Sequence, residues 1–251
     1  MTTRTKYNAG VQTFYEDIAF ETVMPMAPLR FEADFLGAGA LSIAAAGTPT
    51  IGSPWCQKIV GLGPPTVGGI ANASGGIVQA ALTITSEKQD AVLYWNDSRG
   101  LDVTKGLIFE CRAALTVAPS AAGVQAVWGV AAAWIDGPDN NTQYLEFGCT
   151  ASNALLIRSR DGTTQNSIAA APIGGTAVTL DTSFHQFRID ATKVTDVVFY
   201  YDGNRVNAVG SISFAATGAN AILQPYLAVY KASGTGVATL QADVVRAWSN
   251  R

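Results

Sequence analysis

The chain has 251 residues, a formal net charge of −3 and 14% charged residues. It is long enough to bury a sizeable core without disulfide or metal staples. No basic run is present, which argues against a nucleic-acid partner. Cys56, Cys111 and Cys149 lie far apart with no C-x-x-C spacing, so they read as buried free thiols and not as a zinc site. The opening residues, MTTRTKYNAG, lack the apolar core of a secretory signal, and the longest nearly apolar run, Ala126 to Ile135, is too short to cross a bilayer.

Residues 1–40 read as an extended N-terminal arm. Tyr7, Phe14, Tyr15, Phe20, Phe31 and Phe35 are scattered through it without a period of 2 or 3.6, and Pro25 and Pro28 interrupt any helix. Residues 41–75 are rich in Gly, Ala and Pro and predict ordered loops, anchored by Ile43, Ile51, Trp55, Ile59, Val60 and Leu62. From Gly76 the strands become regular and a sandwich domain, 76–251, is expected.

Predicted strands in that domain run over Val78–Thr85, Ala91–Trp95, Gly106–Val117, Val124–Ile135, Tyr144–Cys149, Ala154–Ser159 and Ser167–Ala171. The clearest element is the stretch 184–206, FHQFRIDATKVTDVVFYYDGNRV. Phe187, Ile189 and Ala191 alternate with Gln186, Arg188 and Asp190, which puts one set inside and the other in water. Val197 to Tyr201 is apolar on both faces, as in a strand covered on both sides, and Asp202-Gly203-Asn204 turns the chain with Gly203 free to take positive φ. Ser211–Phe214, Tyr226–Tyr230 and Thr239–Trp248 complete the set. Many short strands, Gly/Pro/Asn/Asp turns and no helical stripe predict an all-β fold of two antiparallel sheets.

Three pieces resemble the concanavalin A-like (laminin G-like) jelly roll: FHQFRID, VVFYYDGNRV and the closing LQADVVRAW, with Phe184 where that superfamily usually has Trp. A second resemblance covers most of the chain from Gly76 onward. KGLIFECRAAL, AVWGVAAAWIDGPDN, YLEFGC, SRDGTT and LQPYLAVYKASGTGVATL are similar to a family of tailed-bacteriophage virion proteins described as structural or decoration proteins. That resemblance implies a capsid decoration (cement) protein, made in the host cytoplasm and placed on the virion surface. Its partners would be the major capsid protein and further copies of itself, with no nucleic acid and no membrane. Tyr7, Phe14 and Tyr15 of the arm are the expected capsid or subunit contacts. The alternative is a lectin-like, carbohydrate-binding module on the virion surface or tail.

No chemistry is expected. The paired-carboxylate motif E-x-D-x-x-E of the superfamily's glucanases is missing, and Glu146 and Glu110 each stand alone, as structural carboxylates do. His185 is the single histidine, and neither G-x-S-x-G nor a phosphate-loop motif occurs. The chain therefore reads as a non-enzyme without catalytic residues or cofactors. Asp136, Asp139, Asn140 and Asn141 offer oxygen atoms that suit Ca²⁺, although such turns are common without metal. Trp95, Trp128, Trp134 and Tyr144 are candidates for a sugar-stacking platform, against a plain core role for the tryptophans.

Overall fold

The computed structural model describes residues 29–36, 54–151 and 153–250 with their side chains, and the backbone of 3–8, 11–16 and 44–45. The strands in chain order are β1 Thr3–Asn8, β2 Val11–Glu16, β3 Leu29–Ala33, β4 Ala44–Ala45, β5 Cys56–Val60, β6 Thr66–Gly69, β7 Val78–Ala81, β8 Gln89–Tyr94, β9 Leu101–Asp102 and β10 Leu107–Val117. They continue with β11 Val124–Ala131, β12 Gln143–Cys149, β13 Leu155–Asp161, β14 Gln165–Ala169, β15 His185–Ala191, β16 Val198–Tyr201, β17 Asn204–Arg205, β18 Ile222–Lys231 and β19 Thr239–Ser249.

Two large sheets stack face to face. Sheet I runs β17-β16-β15-β10-β19-β7-β6, with β3 also on β19; sheet II runs β14-β13-β12-β11-β18-β8-β5-β4, with β9 on β18. Among the described residues every pairing is antiparallel except the short β4–β5 contact. Between the sheets, Trp128 and Phe147 of sheet II meet Phe187 and Phe199 of sheet I, with ring centroids 4.9–5.1 Å apart. Each such fully buried side chain contributes roughly 1.5–3 kcal/mol by leaving water, so this row is a main source of stability. Cys56, Cys111 and Cys149 are buried free thiols.

The period of two in β15 holds: Phe187, Ile189 and Ala191 are buried, and Gln186, Arg188 and Asp190 are not. The following turn is a two-residue loop in which both Asp202 (φ 46°) and Gly203 (φ 77°) take positive φ, the geometry that matches the right-handed twist of a hairpin. β16 differs from expectation. It lies one strand from the sheet edge, so Phe199 is buried but Val198, Tyr200 and Tyr201 are only half-buried. The strand expected to reach Ile135 ends at Ala131, and residues 132–142 leave the sheet.

The sheets take in more chain than the segment from Gly76 onward. β3, β5 and β6 all belong to them. In β3 Leu29, Phe31 and Ala33 alternate with exposed Arg30 and Glu32, and the Phe31 ring packs edge-on against Trp55 and Trp95. Phe35 is buried beside Trp55. The residue range expected to be an extended arm therefore ends inside the core. Its first part is a hairpin, β1 paired with β2, in a two-stranded sheet of its own. Tyr7, Phe14 and Tyr15 lie on these strands; their side chains, with Phe20, Met24, Pro25, Met26, Pro28, Ile43 and Ile51, are outside the described residues.

Candidate functional site

Strand alternation divides the residues of sheet II between two faces. Leu145, Phe147, Trp128, Val130, Leu227 and Leu93 point into the main core. Tyr144, Val127, Ala131, Tyr226, Ala228, Val92, Tyr94 and Cys56 form a second, smaller cluster on the outer face. Register aligns one row across this face: Arg158 opposite Glu146, Glu146 opposite Gly129, Gly129 opposite Tyr226, Tyr226 opposite Tyr94, Tyr94 opposite Cys56. A solvated sheet face would be plainly polar here. This one is buried and carries ionisable groups.

Two glycines make room for them. A Cβ at Gly129 would run into the Leu145 carbonyl oxygen and the Glu146 backbone, so only glycine lets β12 come this close. A Cβ at Gly148 would lie 2.7 Å from Cδ of Arg158, whose stem crosses that gap.

Residues 132–142 roof the face. At one end the Trp134 backbone N–H donates to Asp97 Oδ1 (2.7 Å), its indole Nε1–H donates to Asp90 Oδ2 (3.0 Å), and Lys58 Nζ sits 4.6 Å from its ring centroid. In the middle Lys88 Nζ pairs with Asp136 Oδ2 at 2.5 Å, and Gly137 lies against the Tyr230 ring. At the other end Arg158 pairs with Asp139, Gln125 Nε2 donates to Asp139 Oδ2 at 2.6 Å, and Arg160 donates to the carbonyls of Asp139 and Asn141 at 3.1 and 3.0 Å.

Beneath this roof Asp90 is 0% and Glu146 1% exposed. Burial pushes the Glu146 carboxyl up to about 7 against the opposing pull of Arg158, and pushes Asp90 up to about 7 despite the Trp134 hydrogen bond. Arg158 Nε lies 3.4 Å from Glu146 Oε1 without hydrogen-bond geometry, a contact that becomes an ion pair only when Glu146 is ionised. Burial would lower the Arg158 pKa, but Glu146 and Asp139 on either side of its guanidinium carry it above its usual value. Burial also drives the Tyr226 phenol well up. Asp90 Oδ1, Asn141 Nδ2, Glu146 Oε1 and the Tyr226 hydroxyl are buried with no hydrogen-bond partner among the described residues. Each such orphan costs about 1–3 kcal/mol, so the face concentrates a folding cost.

The expected site residues are distributed differently. Asp136, Asp139 and Asn140 do not converge on one point: Asp136 is held by Lys88, Asp139 by Arg158 and Gln125, and Asn140 Nδ2 donates to the Asp136 carbonyl at 2.6 Å. No group of three or more His, Cys, Asp and Glu side chains gathers at metal-binding distance among the described residues. The four aromatics are not one platform. Trp128 is in the inter-sheet core, Trp95 packs with Phe31 and Trp55, and only Trp134 and Tyr144 reach the outer face. His185 is at the start of β15, with Nδ1 2.7 Å from Asp202 Oδ2 and Nε2 3.0 Å from Asp181 Oδ1. Glu110 accepts from Arg188 Nη1 at 2.9 Å on sheet I. Glu146, read as a lone carboxylate, instead shares one guanidinium with Asp139. The reading missed Asp90, Arg158 and Tyr226. The available signal was glycine in mid-strand, Gly129 in AVWGVAAAW and Gly148 in YLEFGC, which marks a close approach.

No family model matches the sequence, and no curated protein does. Among solved structures the fold is similar to a prokaryotic β-1,3-1,4-glucanase (lichenase) derived from a mouse hindgut metagenome, at 14% identity over 88% of this chain and 99% of that chain, TM-score 0.54. It is also similar to the Emp46p carbohydrate recognition domain in its potassium-bound form, at 8% identity over 85% and 98%, TM-score 0.52. A third is the cellulose induced protein Cip1, at 13% over 88% and 98%, TM-score 0.50. The chain thus has the concanavalin A-like jelly-roll sandwich. The expectation of a non-enzyme does not stand. This fold accommodates a glucanase, and the argument from isolated carboxylates fails once Glu146 and Asp139 meet at Arg158.

Proposed function

We propose that the chain is a glycan-binding jelly-roll module of a bacteriophage virion, and that it takes its glycan at the outer face of sheet II, at the 132–142 roof. One observation carries this reading: a buried hydroxyl, two carboxyl oxygens and an amide nitrogen without hydrogen-bond partners, gathered on the outer face of sheet II and under its roof. Such a set is costly for folding, but it suits a polyhydroxylated ligand, whose hydroxyls both donate and accept. Trp134, half-buried at the rim, adds an aromatic surface of the kind sugars stack on. The carbohydrate recognition domain among the similar folds supports the reading at the level of fold. Placement on a virion is supported by the sequence resemblance.

The capsid-decoration reading holds second place. It is favoured by the β1–β2 hairpin, which pairs with neither large sheet among the described residues and so suits an attachment arm. The two readings are compatible, since an arm can fix to a particle while the sandwich faces outward.

The test is binding of purified protein to an array of bacterial surface polysaccharides, repeated with Tyr226→Phe. The hydroxyl removed has no partner in the free protein, so the variant keeps its fold. Specific binding that weakens at least five-fold in the variant is expected. No binding across the array, or equal binding by both proteins, sinks the proposal.

A further inference from the structure

We propose that residues 132–142 form a proton-linked lid, closed over sheet II while Asp90 and Glu146 carry protons and released when they ionise. The lid is that of the glycan site proposed above and its role in binding rests on that reading, but the gating itself needs no glycan.

The two acids lie at opposite ends of the roof. Asp90 is on β8 and Glu146 on β12, with β18 and β11 between them. Around Asp90 the facing groups are the Trp134 indole, Lys58, Lys88, Asp136, Tyr226 and Tyr230. Both lysines draw the Asp90 carboxyl down, but by less than burial raises it, and neither bonds it: Lys58 lies over the Trp134 ring and Lys88 is paired with Asp136. An ionised Asp90 would be a buried charge whose side chain is hydrogen-bonded by a single neutral N–H. Around Glu146 the facing groups are Arg158, Asp139, Tyr144 and Tyr226. There the guanidinium already carries Asp139, so an ionised Glu146 would be a second anion on a cation already in use. Closed, both sites favour the neutral acid; lifted, both acids reach water and ionise as ordinary carboxyls do.

The direction follows from linkage. The closed state binds protons that the open state lacks between the ordinary carboxyl range and the closed-state values of about 7. Closure is therefore strongest in acid, weakens as pH rises through that window, and changes little above it. Trp134 and Asp139 are the parts of the lid that couple to the two acids, one at each end.

Amide hydrogen exchange of the full chain tests this, with each peptide's rate divided by its intrinsic rate at the same pH. Protection of 132–142 should fall at least ten-fold from pH 5.5 to pH 8, while a peptide from β10 holds. In the double variant Asp90→Asn with Glu146→Gln, which fixes both groups uncharged, protection of the lid should stay flat. Equal protection of the wild-type lid at both pH values, or an undiminished fall in the double variant, overturns the proposal. If the double variant does not fold, each single variant should show a smaller fall than the wild type, and an unchanged fall in both has the same negative meaning. Because no sugar is present, failure here leaves the glycan reading standing, and failure on the array leaves the lid standing.

Discussion

Replacing Asp90 with Asn should stabilise the protein, by an amount that depends on pH. Asp90 is fully buried, and its carboxyl is raised from 3.8 to about 7, with desolvation the main cause. Each pH unit between the unfolded and folded values is worth about 1.4 kcal/mol, so ionising Asp90 under a closed roof costs the fold about 4 kcal/mol at pH 8, an upper bound that release of residues 132–142 reduces. The folded-state value lies above the unfolded one. Wild-type stability is therefore lost as pH rises from about 4 to about 7 and levels off beyond. Asn keeps a side-chain oxygen for the Trp134 indole and cannot ionise. Urea denaturation of both proteins at pH 4, 6 and 8 reads the difference. Near equality at pH 4, growing by up to about 4 kcal/mol in favour of Asp90→Asn at pH 8, is expected. A difference that is the same at all three pH values would mean that Asp90 titrates alike in the folded and unfolded chain, and the electrostatic account of the roofed face would be wrong.

Gly203→Val should cost about 1–2 kcal/mol from backbone strain alone, because a Cβ there meets nothing within 4 Å while φ is +77°; Gly203→Asn, which tolerates that region, should melt close to wild type. His185→Asn should destabilise most in mild acid. Burial lowers the imidazole pKa, but the Asp181 and Asp202 hydrogen bonds carry it above its usual value, so the stability is present below about pH 6.5 and fades as pH rises through the folded-state pKa; a melting difference that is flat from pH 5 to pH 9 would contradict this. Removing residues 2–16, the separate β1–β2 hairpin, should leave the melt near that of the intact protein. Removing residues 2–35 also takes β3 from β19 and the Phe31 and Phe35 rings from Trp55, and should unfold or strongly destabilise the sandwich. Equal melts for the two truncations would show that β3 contributes nothing.

The strand pattern of the sandwich was legible because a period of two records which face is buried, and β15 shows it cleanly. β3 was readable on the same principle, Leu29-Arg30-Phe31-Glu32-Ala33, but five residues among scattered aromatics did not stand out. The candidate site was not legible as a site. Glu146, Arg158 and Asp139 were visible as single residues; what unites them is strand register, which sets Arg158 beside Glu146, and the return of a loop over the sheet, which brings Asp139 to both. Asp90 follows Lys88-Gln89 and reads as a solvated residue at a strand start. It is buried because Trp134, 44 positions later, lands on it. Such long-range closures leave no local period behind, whereas the mid-strand glycines that permit them do leave a mark.

The central claim is that a glycan is taken at the outer face of sheet II, and a crystal structure with a bound oligosaccharide tests it most directly. The account predicts sugar against that face between Tyr144 and Tyr226, hydrogen-bonded to at least one of the groups now without partners, with residues 132–142 lifted from Asp90. A sugar held elsewhere on the sandwich, with 132–142 still closed on sheet II, would contradict it.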